Sequence, residues 1–424
     1  MKRKMPLIAV LAGVLLLALG ATLTWSGRSN SASAANPTPT VIATIPVGAS
    51  PRLGVGISTA TNRIYVANVD SNDVSVIDGV TNAVVATVPV GAAPAQVAAN
   101  PITNRIYVTN QNSNDVSVID GATNTEIDTD GNPANGITRI PAGSGPCGVD
   151  VNPITNRIYV GNFSWGWGSV SVIDGVTNTE IDTDSNPENG ITRIPVGDRP
   201  HEVAVNTVTN RIYVANWGSD DVSVIDGATN AVATTVPVRS GPCGVGVNPT
   251  TNRIYVSNTG RVSQGNDVSV INGDTDTEID TDGNPANGIT RIPVGTEPQG
   301  VAVDPTTDRV YTANRGSNNV SVIDGGGNTV IATVAAGSST YGVAVNPATH
   351  RIYVTNRDDN TVSVIYDPAP VGGVAEAPAN AEAEISSSKD GASAPNAFAF
   401  TGLAVSATVL LAAGGWYARK RWLT

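Results

Sequence analysis

Aromatic, sulfur-bearing and imidazole side chains are scarce in this 424-residue chain, which holds three phenylalanines, two methionines, two cysteines and two histidines. Two cysteines exclude a disulfide framework, and two histidines exclude a histidine-rich metal centre. So few large apolar residues also leave little from which to pack helices. Charge is sparse too, at 14% of residues. Seven of the 24 basic residues sit in the terminal segments (Lys2, Arg3, Lys4, Arg28, Arg419, Lys420 and Arg421) and all 36 acids lie between them, so the middle carries 17 basic residues against 36 acids, a net −19. Such a surface repels phosphate backbones, which excludes nucleic acid as a partner. No G-x-S-x-G elbow, nucleotide loop or haem motif occurs. What the chain does have is glycine, 44 residues of it, and repeated short runs of valine and isoleucine. That composition points to strands and turns.

The two ends read as addresses. Lys2, Arg3 and Lys4 precede an apolar run from Leu7 to Leu23, and Ala32, Ser33 and Ala34 follow it. This order predicts a signal peptide over residues 1–35 or, if uncleaved, a membrane anchor; either exports the body. Residues 367–397 are a mix of Ala, Pro, Glu, Ser and Gly, too poor in large apolar groups to offset chain entropy, and read as a disordered stalk. Residues 398–424 hold Phe398-Ala399-Phe400-Thr401-Gly402, an apolar stretch from Leu403 to Ala418, and Arg419-Lys420-Arg421. That order resembles the wall-sorting signal of Gram-positive surface proteins, with Ala399 fitting the LAXTG form and Phe398 departing from its leucine. The resemblance implies a sortase cutting between Thr401 and Gly402. The 21 residues from Phe398 to Ala418 also suffice for a C-terminal transmembrane helix with the basic tail inside. Both readings place the body outside the cell, anchored to wall or plasma membrane.

The body is a repeat. Tyrosine recurs at Tyr65, Tyr107, Tyr159, Tyr213, Tyr255, Tyr311 and Tyr353, at intervals of 42, 52, 54, 42, 56 and 42. Each unit reads as four short strands divided by turn residues, the size of a propeller blade, so residues 36–366 are expected to form a seven-bladed all-β propeller. The phrase Arg105-Ile106-Tyr107-Val108-Thr109-Asn110 and the Asn-Pro-x-Thr-Asn before it resemble the YVTN family of β-propellers of bacterial and archaeal surface proteins. A fourth strand follows only six of the seven units, and Val41-Ile42-Ala43-Thr44-Ile45 copies Val330-Ile331-Ala332-Thr333-Val334. The N-terminal strand is therefore expected to close the last blade and hide its edge. Pairing Asn68 with Asp73 also pairs Arg63 with Asp78, a cross-strand ion pair, and the tyrosines read as core spacers.

Function is sought where the copies differ. Leu53, Ala95, Cys147, His201, Cys243, Gln299 and Tyr341 occupy equivalent places just before strand one and are expected to ring the mouth of the central channel. Cys147, His201 and Cys243 have the ligand types of a zinc or copper site, but cysteines two blades apart lie beyond disulfide reach. An acidic insertion of ten residues is expected between strands three and four of blades two, three and five. It holds Glu126, Asp128, Asp130 and Asn132; then Glu180, Asp182, Asp184 and Asn186; then Glu278, Asp280, Asp282 and Asn284. Alternate carboxylates on one side of an extended loop suit calcium, although Arg139 stands where an EF-hand requires glutamate. Phe163, Trp165, Trp167 and Trp217, in the loops after strand two of blades three and four, form an expected recognition patch.

The expected function is a cell-surface-anchored propeller serving as an extracellular binding or adhesion module for a protein or glycan. One alternative is a secreted propeller enzyme, lactonase-like or lyase-like, with its site at the channel mouth. The other is a purely architectural envelope protein.

Overall fold

The computed structural model describes residues 38–368 apart from 133–135, 165, 184–189, 262–264 and 285–287. The leader, the sorting segment with Thr401 and Gly402, and the stalk beyond Pro368 lie outside the described residues, as do Trp165, Asp184 and Asn186.

Among the described residues the strands form seven antiparallel sheets, each a blade of a propeller. Blade one runs Pro51–Ser58, Arg63–Asn68, Asp73–Asp78 and Ala83–Pro89 from the channel outwards. Blade seven has three strands from the C-terminal part (Thr340–Asn346, Arg351–Asn356, Thr361–Tyr366) and takes its fourth, Thr40–Pro46, from the start of the chain. Thr40 pairs with Tyr366 and Pro46 with Thr361, so the ring closes as its repeats predict.

The two middle strands of each blade are buried on both faces because blades stack face to face. Their valines and isoleucines fit that setting, as β-branched side chains pack well on a pleated surface. All seven repeated tyrosines are at most 1% exposed. Tyr65 of blade one packs in a cluster with Ile106, Val108 and Ile119 of blade two, so the core lies between blades rather than within them. Asn68 pairs with Asp73 and Arg63 with Asp78. The Arg63–Asp78 ion pair, 3.6 Å apart and solvent-accessible, contributes little to stability.

Strand one begins on one face of the disc and ends on the other. On the second face, its turn into strand two carries Asn62, Asn104, Asn156, Asn210, Asn252, Asp308 or His350, all with φ between 51° and 54°. Asparagine, aspartate and histidine are the residues other than glycine enriched in this left-handed conformation, and Asp308 and His350 depart from the asparagine of the other five copies. The same face receives the end of the last strand, where Asp367 is buried. Its carboxylate bonds the Arg309 guanidinium and accepts the Tyr311 hydroxyl at 2.6 Å. Composition places Asp367 in the stalk, but the structure ties it into the propeller.

The insertions do not lie between strands three and four. In blade one the fourth strand pairs Val84 with Ile77 and Ala86 with Val76, leaving one bulged residue. Blade two pairs Glu126 with Ile119 and resumes at Ile140 with Val116, so its extra residues enter at that bulge and split the outer strand in two. Blades three and five do the same. The acidic excursions therefore project from the outer rim and not from a face, because a bulge is where an outer strand can lengthen without disturbing its neighbour.

Candidate functional site

The ring from Leu53 to Tyr341 lies inside strand one, not before it. In blade three, Pro146 pairs with Asn162 and Val149 with Val160, so Cys147 and Gly148 share the place opposite Gly161. This bulge turns the first of its two residues to the mouth. The second presses on the next blade: a Cβ on Gly244 would stand 2.1 Å from the Gln299 carbonyl oxygen. Five blades keep glycine at this second place, while blades two and four carry Gln96 and Glu202 there, and the first place varies among the copies.

All seven ring residues line two adjoining hollows at the mouth. The larger, about 450 Å³, has walls that include Arg52, His201, Trp217, Cys243, Arg315 and Tyr341. The smaller, about 200 Å³, is bounded by Leu53, Ala95, Cys147, Phe163 and His201 among others. Cys147 and Cys243 are buried and free. The Cys243 thiol donates to Gln299 Oε1 at 3.2 Å and its sulfur lies 3.3 Å from His201 Nδ1. That geometry fits a neutral imidazole with its proton on Nδ1, which leaves Nε2 as an acceptor. Burial, helped by the charge of Arg52, pushes the His201 pKa down to about 4. Burial likewise pushes the Cys147 thiol up to about 12, and Cys243 is raised by burial and by nearby Glu202. Neither thiol is poised as a nucleophile at neutral pH.

A second ring follows strand two and was only half read from sequence: Val69, Gln111, Phe163, Trp217, Thr259, Arg315 and Arg357 succeed the last asparagine of that strand. Two members of the expected aromatic patch belong to this ring. Phe163 meets the His201 ring edge-on at 5.9 Å. Trp217 lines the larger hollow with the Arg199 guanidinium 5.2 Å from its ring centre. Trp167 points outwards, 88% exposed. Its described members are therefore a wall of the mouth, Phe163 and Trp217, and one protruding indole, Trp167.

Arginines complete the mouth. Arg52 and Arg315 lie 5.4 and 5.5 Å from the centre of the Tyr341 ring. Arg315 also donates to the Tyr341 hydroxyl and to Glu297, both at 2.8 Å. Arg261 is occupied by Asp220 and the Gly218 carbonyl. The Arg52 guanidinium has no carboxylate partner among the described residues. Its sequence signal was a one-residue excess: three residues separate Pro51 from Val55, where two separate Pro94 from Val97.

The acidic insertions are stitched by their own contacts. Glu126 receives Arg139 on both oxygens, at 2.6 and 2.9 Å. Asp128 accepts the Thr138 amide, and Asp130 accepts the Thr138 hydroxyl and the Asn132 amide. Glu180 with Arg193 and Glu278 with Arg291 repeat the ion pair. Asp182, Asp280 and Asp282 repeat the threonine contacts, and Asp282 also accepts the Asn284 amide. Each glutamate is thus turned to an arginine rather than to a shared side with the aspartates. Among the described residues no three His, Cys, Asp or Glu side chains are grouped to hold a metal.

A family model described as lactonase, seven-bladed beta-propeller, matches residues 53–382. Among solved structures, Kuenenia stuttgartiensis hydrazine synthase aligns with a TM-score of 0.61 at 21% identity, over 76% of this chain and 97% of that one. At that identity the likeness is one of fold. No curated protein matches.

Proposed function

The chain belongs to the lactonase seven-bladed β-propeller family, and on that premise we propose that it is an exported binding module whose channel mouth takes a carboxylate-bearing sugar, free or at the end of a glycan. The observation that carries this reading is Arg52. A guanidinium seated on the Tyr341 face, with no carboxylate partner among the described residues, is a site for an anion within an otherwise acidic body. Trp217 and Phe163 supply ring surface beside it, and ring faces pack against sugars. The basic-apolar leader and the sorting-type tail support an extracellular, anchored setting, and the YVTN-like repeats accord with it.

A second reading, lactone hydrolysis, is favoured by His201 and Arg52 lining the same two hollows at the mouth. The imidazole Nε2 would take a proton from water as the hydroxide adds to the lactone carbonyl, and Arg52 would stabilise the oxyanion. Cleavage of the ring C–O bond then returns that proton to the leaving alkoxide, giving a hydroxy acid. The product carries the carboxylate that the first reading binds.

Titration calorimetry with aldonates and uronates, with uronate-ended oligosaccharides and with neutral sugars separates these ideas. Acid sugars are expected to bind, and Arg52→Ala to weaken them tenfold or more with unchanged melting. A pH-stat assay with the matching lactones reads hydrolysis, which His201→Gln would abolish. Binding without turnover leaves the module; no binding and no turnover overturns both.

A further inference from the structure

Below the mouth, the inner strands present two inward positions per blade. Beside the ring residue stand Gly54, Gln96, Gly148, Glu202, Gly244, Gly300 and Gly342. Opposite the core tyrosine stand Gly56, Ala98, Asp150, Ala204, Gly246, Ala302 and Ala344. Eleven of these fourteen are glycine or alanine. The three departures, Gln96, Asp150 and Glu202, fall on consecutive blades and face one cavity of about 300 Å³.

Their contacts leave them short of positive charge. Gln96 Nε2 donates to Glu202 Oε1 at 3.0 Å, and the Val245 amide donates to Glu202 Oε2 at 3.2 Å. Asp150 accepts the amides of Val151 and Val205, both at 2.8 Å. No Lys, Arg or His lines the cavity among the described residues. The side-chain amide oxygen of Gln96, a residue only 8% exposed, has no partner among the described residues. Two carboxylates in an apolar channel repel and desolvate one another, and an unmet amide oxygen beside them adds a third acceptor.

We infer that Gln96, Asp150 and Glu202 form a central-channel site for a hard, oxygen-seeking cation of the calcium class. Each carboxylate oxygen that accepts one backbone or amide hydrogen keeps a further lone pair for the ion. The shell need not be all protein, because such cations retain water. Asp150 is only partly buried and provides the approach from the channel. The inference is independent of the reading of the mouth.

The test uses the exported full chain, stripped with EDTA and returned to calcium. Saturating calcium is expected to raise the melting temperature by roughly 5–10 °C. Terbium should show luminescence sensitised by tyrosine, since Tyr159 is the strand partner of Asp150. The isosteric Glu202→Gln and Asp150→Asn should each lose both responses while melting no lower than the parent in EDTA. The triple change Asp128→Asn, Asp182→Asn, Asp280→Asn, which empties the rim insertions of one carboxylate each, should keep them. Parent melts that are identical in calcium and EDTA, with no terbium signal, overturn the site. Responses lost in the rim variant but kept in Glu202→Gln move the cation to the insertions and overturn it equally. If Glu202→Gln does not fold, Gln96→Leu carries the same comparison from the third ligand.

Discussion

On the face where strand one ends, neighbouring blades are joined the same way almost everywhere. Asn100 donates to Asn156, Asn152 to Asn210, Asn206 to Asn252 and Asn346 to Asn62, each at 2.8 Å. Asn248 with Asp308 and Asp304 with His350 are variants of the link. On the opposite face, at the mouth, cysteine alone occurs twice in the seven-membered ring. The same repeat supplies both faces, so the difference is one of constraint. A link between blades must satisfy a buried donor and acceptor, whereas a bulge residue facing a hollow has neither obligation. Uniformity marks the face that holds the disc together, and variety marks the face where a ligand is proposed to bind.

The harshest way to break this contrast is to remove the element both faces share. Deleting residues 38–47 exposes the edge of Thr361–Tyr366 and is expected to abolish monomeric folding, read by size exclusion and circular dichroism. A monomer that melts unchanged would mean that the ring does not need its closing strand. Next, Asn206→Ala on the uniform face should cost about 3 kcal/mol in urea unfolding, because the Asn252 side chain and two amides lose a buried partner. A substitution at Ala95, on the varied face, should stay well below that.

The pH dependence sharpens the contrast on the mouth side. The folded Glu202 carboxyl titrates near 8 against an ordinary value near 4.5, so the folded state holds its proton more tightly and stability falls as pH rises through that window. The His201 shift acts oppositely, with stability lost as pH falls from about 6.5 towards 4. Between pH 6.5 and 8 the glutamate acts alone of the two. In EDTA the parent should lose at most about 1.4 kcal/mol per pH unit there, and Glu202→Gln should be flat. The smallest expected effect is a gain. Ser58 breaks the chain of links, and both its hydroxyl and Asn104 Oδ1 are buried without partners among the described residues. Ser58→Asn should complete the seventh junction and add about 1 kcal/mol, seen as a later urea midpoint at constant slope.

Repetition explains what the sequence made legible. Seven copies of a strand pattern fix blade number, register and the closing strand, because an error in one copy is corrected by the other six. The ring at the mouth was visible for the same reason. The position of the acidic insertions was not, since Thr125-Glu126 looks like the tail of a turn and the bulge that admits the extra residues leaves no residue signature. Arg52 was hidden because aligning the copies on tyrosine absorbs a single added residue. Gln96 and Glu202 were missed as a pair because they lie 106 positions apart, and only the ring geometry brings one amide to the other carboxylate.

The buried Asp367, held by Arg309 and Tyr311, has a mechanical consequence. It sits at the end of Thr361–Tyr366 on the face away from the mouth, beside the Thr40 end of the closing strand. Tension applied to the chain beyond Pro368 would first strain a desolvated ion pair and then pull along a strand hydrogen-bonded on both sides, to Arg351–Asn356 and to Thr40–Pro46. Pulling along a strand loads all of its pairs at once instead of peeling them one by one. Force entering the propeller at this point would be resisted by shear rather than by unzipping.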